Sequence, residues 1–215
     1  MRLLACLLVL AAGVVPATAA GGSFVRPPVE DLGMPFWCDW GYDWDERCYT
    51  DNTARLPVGG VNDKVWRGAL RFSLDGLPAG ARVTGAHLDL YFDGSCVGPR
   101  RRVGPCLAVH YSVDAHAIRS ASWTKEREVD FDPVAVASTT DSTGFVGWSS
   151  WDLTDLVSAW ATGAVPNRGV LLKLAEEEED FGVSGPYFPS SSFLTSALRP
   201  RLVVVYAVRM TGQPR

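Results

Sequence analysis

The stretch Val83-Thr84-Gly85-Ala86-His87-Leu88-Asp89-Leu90-Tyr91-Phe92 decides the fold class. Ala86, Leu88, Leu90 and Phe92 alternate with His87, Asp89 and Tyr91, the period of a strand with one face in a core and the other in water. Leu107, Val109, Tyr111 and Val113 repeat the pattern opposite Ala108, His110 and Ser112. These two strands are expected to be neighbours joined through the loop from Cys96 to Cys106. Upstream, Val65 to Phe72 is a further strand, ended by the turn-rich Asp75-Gly76-Leu77-Pro78-Ala79-Gly80. Downstream, Gly169 to Ala175 and Arg201 to Tyr206 are the most apolar runs and read as strands within the core. Short strands separated by turn signals predict an all-β sandwich.

One segment breaks the period of two. In Trp151 to Gly163, Leu153, Leu156, Val157 and Trp160 recur at i, i+3, i+4 and i+7. That spacing predicts one short helix near 153–162, with Asp152 or Thr154 as its cap and Gly163 as its stop.

Composition and the N-terminus set the address. Arg2 precedes an apolar run from Leu3 to Val15, followed by Pro16 and Ala17-Thr18-Ala19, the layout of a secretory signal peptide over 1–19. The run is too short for a transmembrane reading, since a bilayer needs about 20 apolar residues. The expected organisation is then an irregular lead-in at 20–35, a single β-sandwich domain over 36–210 and a tail at 211–215. The ending from Tyr206 to Arg215 shows no sorting motif, so a secreted, extracellular product without a membrane anchor is expected. The formal charge is -4, and -5 once Arg2 leaves with the signal. A mildly acidic chain argues against nucleic acid as a partner.

Four cysteines follow the signal: Cys38, Cys48, Cys96 and Cys106. In an exported chain an even count reads as disulfides, and the repeated C-x9-C spacing favours Cys38 with Cys48 and Cys96 with Cys106. Closing loops this short contributes about 2.7 kcal/mol each in the chain-entropy account. The spacing is long for zinc ligand pairs.

Further signals fall in a consistent order over more than 130 residues: Arg67 with Leu70-Arg71-Phe72; Leu77-Pro78-Ala79-Gly80; Trp123; Trp151-Asp152-Leu153-Thr154 with Trp160; Asn167, Gly169, Leu172 and Lys173; and Arg199-Pro200 with Leu202 and Tyr206. In these the chain resembles the DNRLRE-domain family of bacterial exported proteins, related to a family of carbohydrate-binding modules. The hexapeptide of the family name is absent, its nearest stretch being Asp63 to Arg67. The resemblance implies a jelly-roll-like β-sandwich, with polysaccharide binding in part of the family and no catalytic residues to carry over. Its recurring positions read as structural, with Arg71 expected to pair with a buried carboxylate.

Candidate ligand groups come from the residues themselves. Between Cys38 and Cys48 the chain reads CDWGYDWDERC, and Trp37, Trp40, Tyr42 and Trp44 offer flat faces on which sugar rings stack. Asp43, Asp45 and Asp51 are oxygen donors of the kind calcium takes. The third reading is a capping loop that buries its tryptophans, and all three stay open. His87, Asp89 and His110 point away from the core and would form one polar patch if their strands were neighbours. Glu176 to Asp180 reads as a solvated turn or a calcium site, and Arg100-Arg101-Arg102 as a solvated tip or a site for an anionic polymer. Neither a G-x-S-x-G elbow nor an H-E-x-x-H pair occurs, so the expectation is a non-enzymatic domain that binds extracellular polysaccharide, needs no cofactor and can use calcium. The alternative is a structural or protein-interaction domain of the cell envelope.

Overall fold

The computed structural model describes residues 19–35, 54–61, 64–98, 102–105, 110–123, 129–142, 144–177 and 185–209. In chain order the strands are β1 Ala19–Arg26, β2 Pro28–Pro35, β3 Arg55–Pro57, β4 Gly59–Val61, β5 Lys64–Phe72, β6 Arg82–Phe92, β7 Ser95–Gly98 and β8 Arg102–Pro105. They continue with β9 His110–Ile118, β10 Phe131–Ser142, β11 Gly147–Asp152, helix α1 Thr154–Thr162, β12 Val170–Leu174, β13 Gly185–Pro189 and β14 Arg201–Arg209. The fold is the expected all-β sandwich with one short helix. Sheet A has the order β1-β14-β6-β11, and sheet B the order β10-β9-β12-β5-β2, with β4 also on β5. A third sheet, β3-β13-β7-β8, joins them, and all pairings are antiparallel.

The alternation read in β6 sets the core. Ala86, Leu88, Leu90 and Phe92 face Leu70, Phe72, Val113, Leu172 and Leu174 of sheet B, while Leu56 and Phe188 enter from the third sheet. Trp151 lies among them, 1% exposed, and its Nε1–H donates to the Val113 carbonyl at 2.7 Å. This bond ties β11 of sheet A to β9 of sheet B through the middle of the core.

Sheet B is buried on its other face too. Ala69, Leu171, Ile118 and Val129 pack with Leu32, Trp123 and Phe131, so the segment after β9 folds back over the sheet. That is why four of the five β12 residues are apolar, as in strands covered on both faces. Arg67 lies under the same cover, 6% exposed, with its guanidinium bonded to both oxygens of Glu177 at 3.0 and 2.7 Å and 5.1 Å from the Phe131 ring centre. Lys173 approaches Glu177 at 3.6 Å.

Several expectations change. The lead-in at 20–35 is two strands, β1 paired with β14 and β2 with β5. Its glycines and prolines fit rather than break them. A side chain at Gly22 would meet the Tyr206 hydroxyl at 2.6 Å, and Pro28 and Pro35 sit at the ends of an edge strand, where a missing N–H costs little. β6 and β9 are not neighbours: the hairpin β7–β8 carries the chain from sheet A to sheet B. Alternation fixes which face is buried, not which strand lies beside it.

The helix takes Leu153 as its N-cap, without a side-chain bond to the helix. Asp152 and Thr154, the expected caps, instead pin the entry. Asp152 accepts the Thr154 N–H at 2.9 Å and its hydroxyl at 2.6 Å, and the Thr154 oxygen accepts the Ala86 N–H at 2.9 Å. Gly163 ends the helix in the left-handed region, φ 72°, as expected. Arg71 does pair with a carboxylate, Glu30, but both are about one-third exposed; the buried pair belongs to Arg67. Glu177 likewise points inward to Arg67 rather than into a solvated turn.

Candidate functional site

The register of β6 with its neighbours β11 and β14 builds one polar and aromatic strip on the outer face of sheet A. Tyr91 lies opposite Trp148, Asp89 opposite Ser150 and Arg201, and His87 opposite Asp152 and Val203. The Tyr91 and Trp148 rings meet edge to face with centres 5.5 Å apart, and both stay partly exposed. The Arg201 guanidinium stacks 4.0 Å from the Trp148 ring centre.

Asp89 organises this strip from beneath. One oxygen accepts Arg201 Nε–H at 3.1 Å and the other accepts the Ser150 hydroxyl at 2.8 Å. The stack above leaves it 7% exposed although it points outward. Asp89 therefore positions Arg201 and Ser150 and is not the free ligand group its place in the sequence predicts. His87 does lie on the open face. Opposite it, the Thr154 side-chain hydrogen bond, with that of the Thr154 N–H, holds the Asp152 carboxyl below its usual range.

At Asp152 the strip meets a groove of about 1200 Å³ between α1 and β10. Trp160 and Leu156 line the helix side and Val136 and Ala137 the strand side, with Arg119 and Arg168 also on the lining. Arg119 pairs with Asp132 at 3.0 Å, and Arg168 donates to the Arg119 carbonyl. The Val134 N–H, then the Arg119 side chain, holds the Asp132 carboxyl low.

The other sequence candidates are not brought to this place. His110 heads β9 in sheet B, opposite Ser142, so His87 and His110 stand in different sheets. Trp37, Trp40, Tyr42, Trp44, Asp43, Asp45, Asp51, Cys38, Cys48 and Cys106 lie outside the described residues. Cys96 is buried and disulfide-bonded. Among the described residues no group of three or more His, Cys, Asp or Glu side chains is placed to hold a metal ion, and no helix is long and apolar enough to cross a membrane.

Trp148, Ser150 and Arg201 are the site residues that the sequence reading missed. For Trp148 and Ser150 the signal was present: in Gly147-Trp148-Ser149-Ser150-Trp151-Asp152 the outward residues are Trp148, Ser150 and Asp152, and Trp151 faces inward. No protein-family model and no curated protein matches this chain.

Proposed function

We propose that this chain is a secreted, non-catalytic polysaccharide-binding domain of the kind its sequence resembles, with its site on the outer face of sheet A. The observation that carries this reading is the Tyr91–Trp148–Arg201 stack beside Ser150, His87 and Asp152. Sugar rings present C–H faces that pack on aromatic rings and hydroxyls that need donors and acceptors at the rim. The strip offers both on a rigid sheet, so little ordering entropy is lost on binding. Export supplies the oxidising compartment for pairing Cys38 with Cys48 and Cys96 with Cys106.

Affinity electrophoresis in gels containing mixed-linkage β-glucan, xylan, glucomannan or alginate tests the reading. Retardation of the wild-type chain by at least one polymer is expected, with Trp148→Ala lowering affinity at least tenfold, equivalent to about 1.4 kcal/mol. A folded chain retarded by none of them would defeat it. Release of reducing ends from any polymer would overturn the non-catalytic assignment. The exposed Val25 and Val205, on the adjacent strands β1 and β14, favour the second reading, an envelope domain that meets another protein. That reading predicts co-sedimentation with cell envelopes that is unchanged by Trp148→Ala.

A further inference from the structure

The strip on sheet A and the groove beside α1 are one continuous surface, because Asp152 belongs to both. From Trp148 to Asp152 the path follows β11 for four residue steps, about 13 Å at ~3.3 Å per residue, before it enters the groove. A single sugar does not span such a path.

Its charges nearly balance: three cations, Arg201, Arg119 and Arg168, stand against four carboxylates, Asp89, Asp132, Asp152 and Asp155. Arg201 is set against Asp89 and Arg119 against Asp132, with His87 facing Asp152. Asp155 and Arg168 share the groove lining. A polyuronate or sulfated chain would meet a carboxylate beside each cation, and a polycation the reverse. Interspersed donors and acceptors with little net field suit a polyol, whose hydroxyls both give and take hydrogen bonds.

From these two observations, and building on the proposed function, we infer that the ligand is a neutral linear polysaccharide, bound along its length from Trp148 past His87 and Asp152 into the groove at Arg119. The outward rings near Trp148 form the first contact, and the mixed apolar and charged groove holds the chain further along. Binding at internal stretches of a polymer follows, since the strip is open on the sheet face.

Isothermal titration with neutral gluco-, xylo- and manno-oligosaccharides of increasing length, at low and high salt, tests this. The expected result is affinity that climbs over several added sugars and changes by less than about twofold with salt, because screening acts on net charge. Ser138→Trp fills the groove from an exposed position on β10, and should abolish the rise with length. Val136→Arg, at a position 40% exposed on the same wall, serves if the first variant fails to fold. Affinity that depends on Trp148 but stays flat with length, or tighter salt-sensitive binding of alginate, overturns the inference and leaves the proposed function standing. A folded chain that binds no neutral or charged polymer overturns both.

Discussion

Two buried tryptophans provide a matched pair of experiments. Trp151 is 1% exposed and its Nε1–H is bonded to the Val113 carbonyl; Trp66 is 7% exposed and its Nε1–H is buried without a partner. Replacing either with phenylalanine removes the same atoms, so the transfer and cavity costs cancel to first order. The polar parts have opposite sign. Trp151→Phe removes a cross-sheet hydrogen bond from a carbonyl that keeps its place in the β9 ladders, at a cost of about 1 kcal/mol, whereas Trp66→Phe removes a stranded donor and recovers about 1–3 kcal/mol. Trp151→Phe should therefore be less stable than Trp66→Phe by at least about 2 kcal/mol. In a chain of this size that corresponds to a gap of roughly 4–8 °C in melting temperature. Urea unfolding followed by far-UV circular dichroism measures the difference directly, with the slopes compared to confirm that the unfolded states match. Equal losses in the two variants would refute the assignment of the cross-sheet bond as a net contributor.

Two further outcomes follow from the buried polar groups. Asp141 bonds to Ser149 and lies opposite Tyr111, and burial raises its carboxyl pKa above the usual value of 3.8 despite the Ser149 bond. Stability from this site is thus present at acid pH and lost as pH rises through the folded pKa. Asp141→Asn should match or exceed the wild type at neutral pH and lose that advantage in acid; a neutral-pH loss in urea unfolding would contradict the sign. Arg67→Met leaves Glu177 with Lys173 as its cation among the described residues and should cost about 3–5 kcal/mol, while adding Glu177→Leu should recover most of it. A double-mutant cycle checks this, and a single-variant loss below about 0.5 kcal/mol would show that the pair is not coupled to folding.

What was legible depended on whether the signal was local. The alternation in β6 gave the buried face of sheet A because side-chain direction is set within the strand. The i, i+3, i+4, i+7 spacing gave α1, and Gly163 its end, for the same reason. Strand partners were not legible, since pairing joins residues far apart in sequence: Asp89 meets Arg201 through β14, and His110 is parted from His87 by a hairpin. β1 and β2 were hidden because glycine and proline normally mark loops, and here an aromatic ring and an edge position accommodate them. The acidic run after β12 gave no hint that Glu177 turns inward, because its buried partner Arg67 lies on β5.

The pairing of β1 with β14 also has a consequence for the order of assembly. These are the first and last described strands to be synthesised, and Ala20 ends up beside Val208. β6 can meet β11 while the remainder of the chain is still emerging, but β14 fills the place between β6 and β1 only at the end. Until then β1 has no partner and β6 keeps an open edge, the state in which strands are most prone to pair with the wrong chain. Completion of sheet A is therefore a late, long-range step, and the time a growing chain spends before it sets the exposure to misassembly.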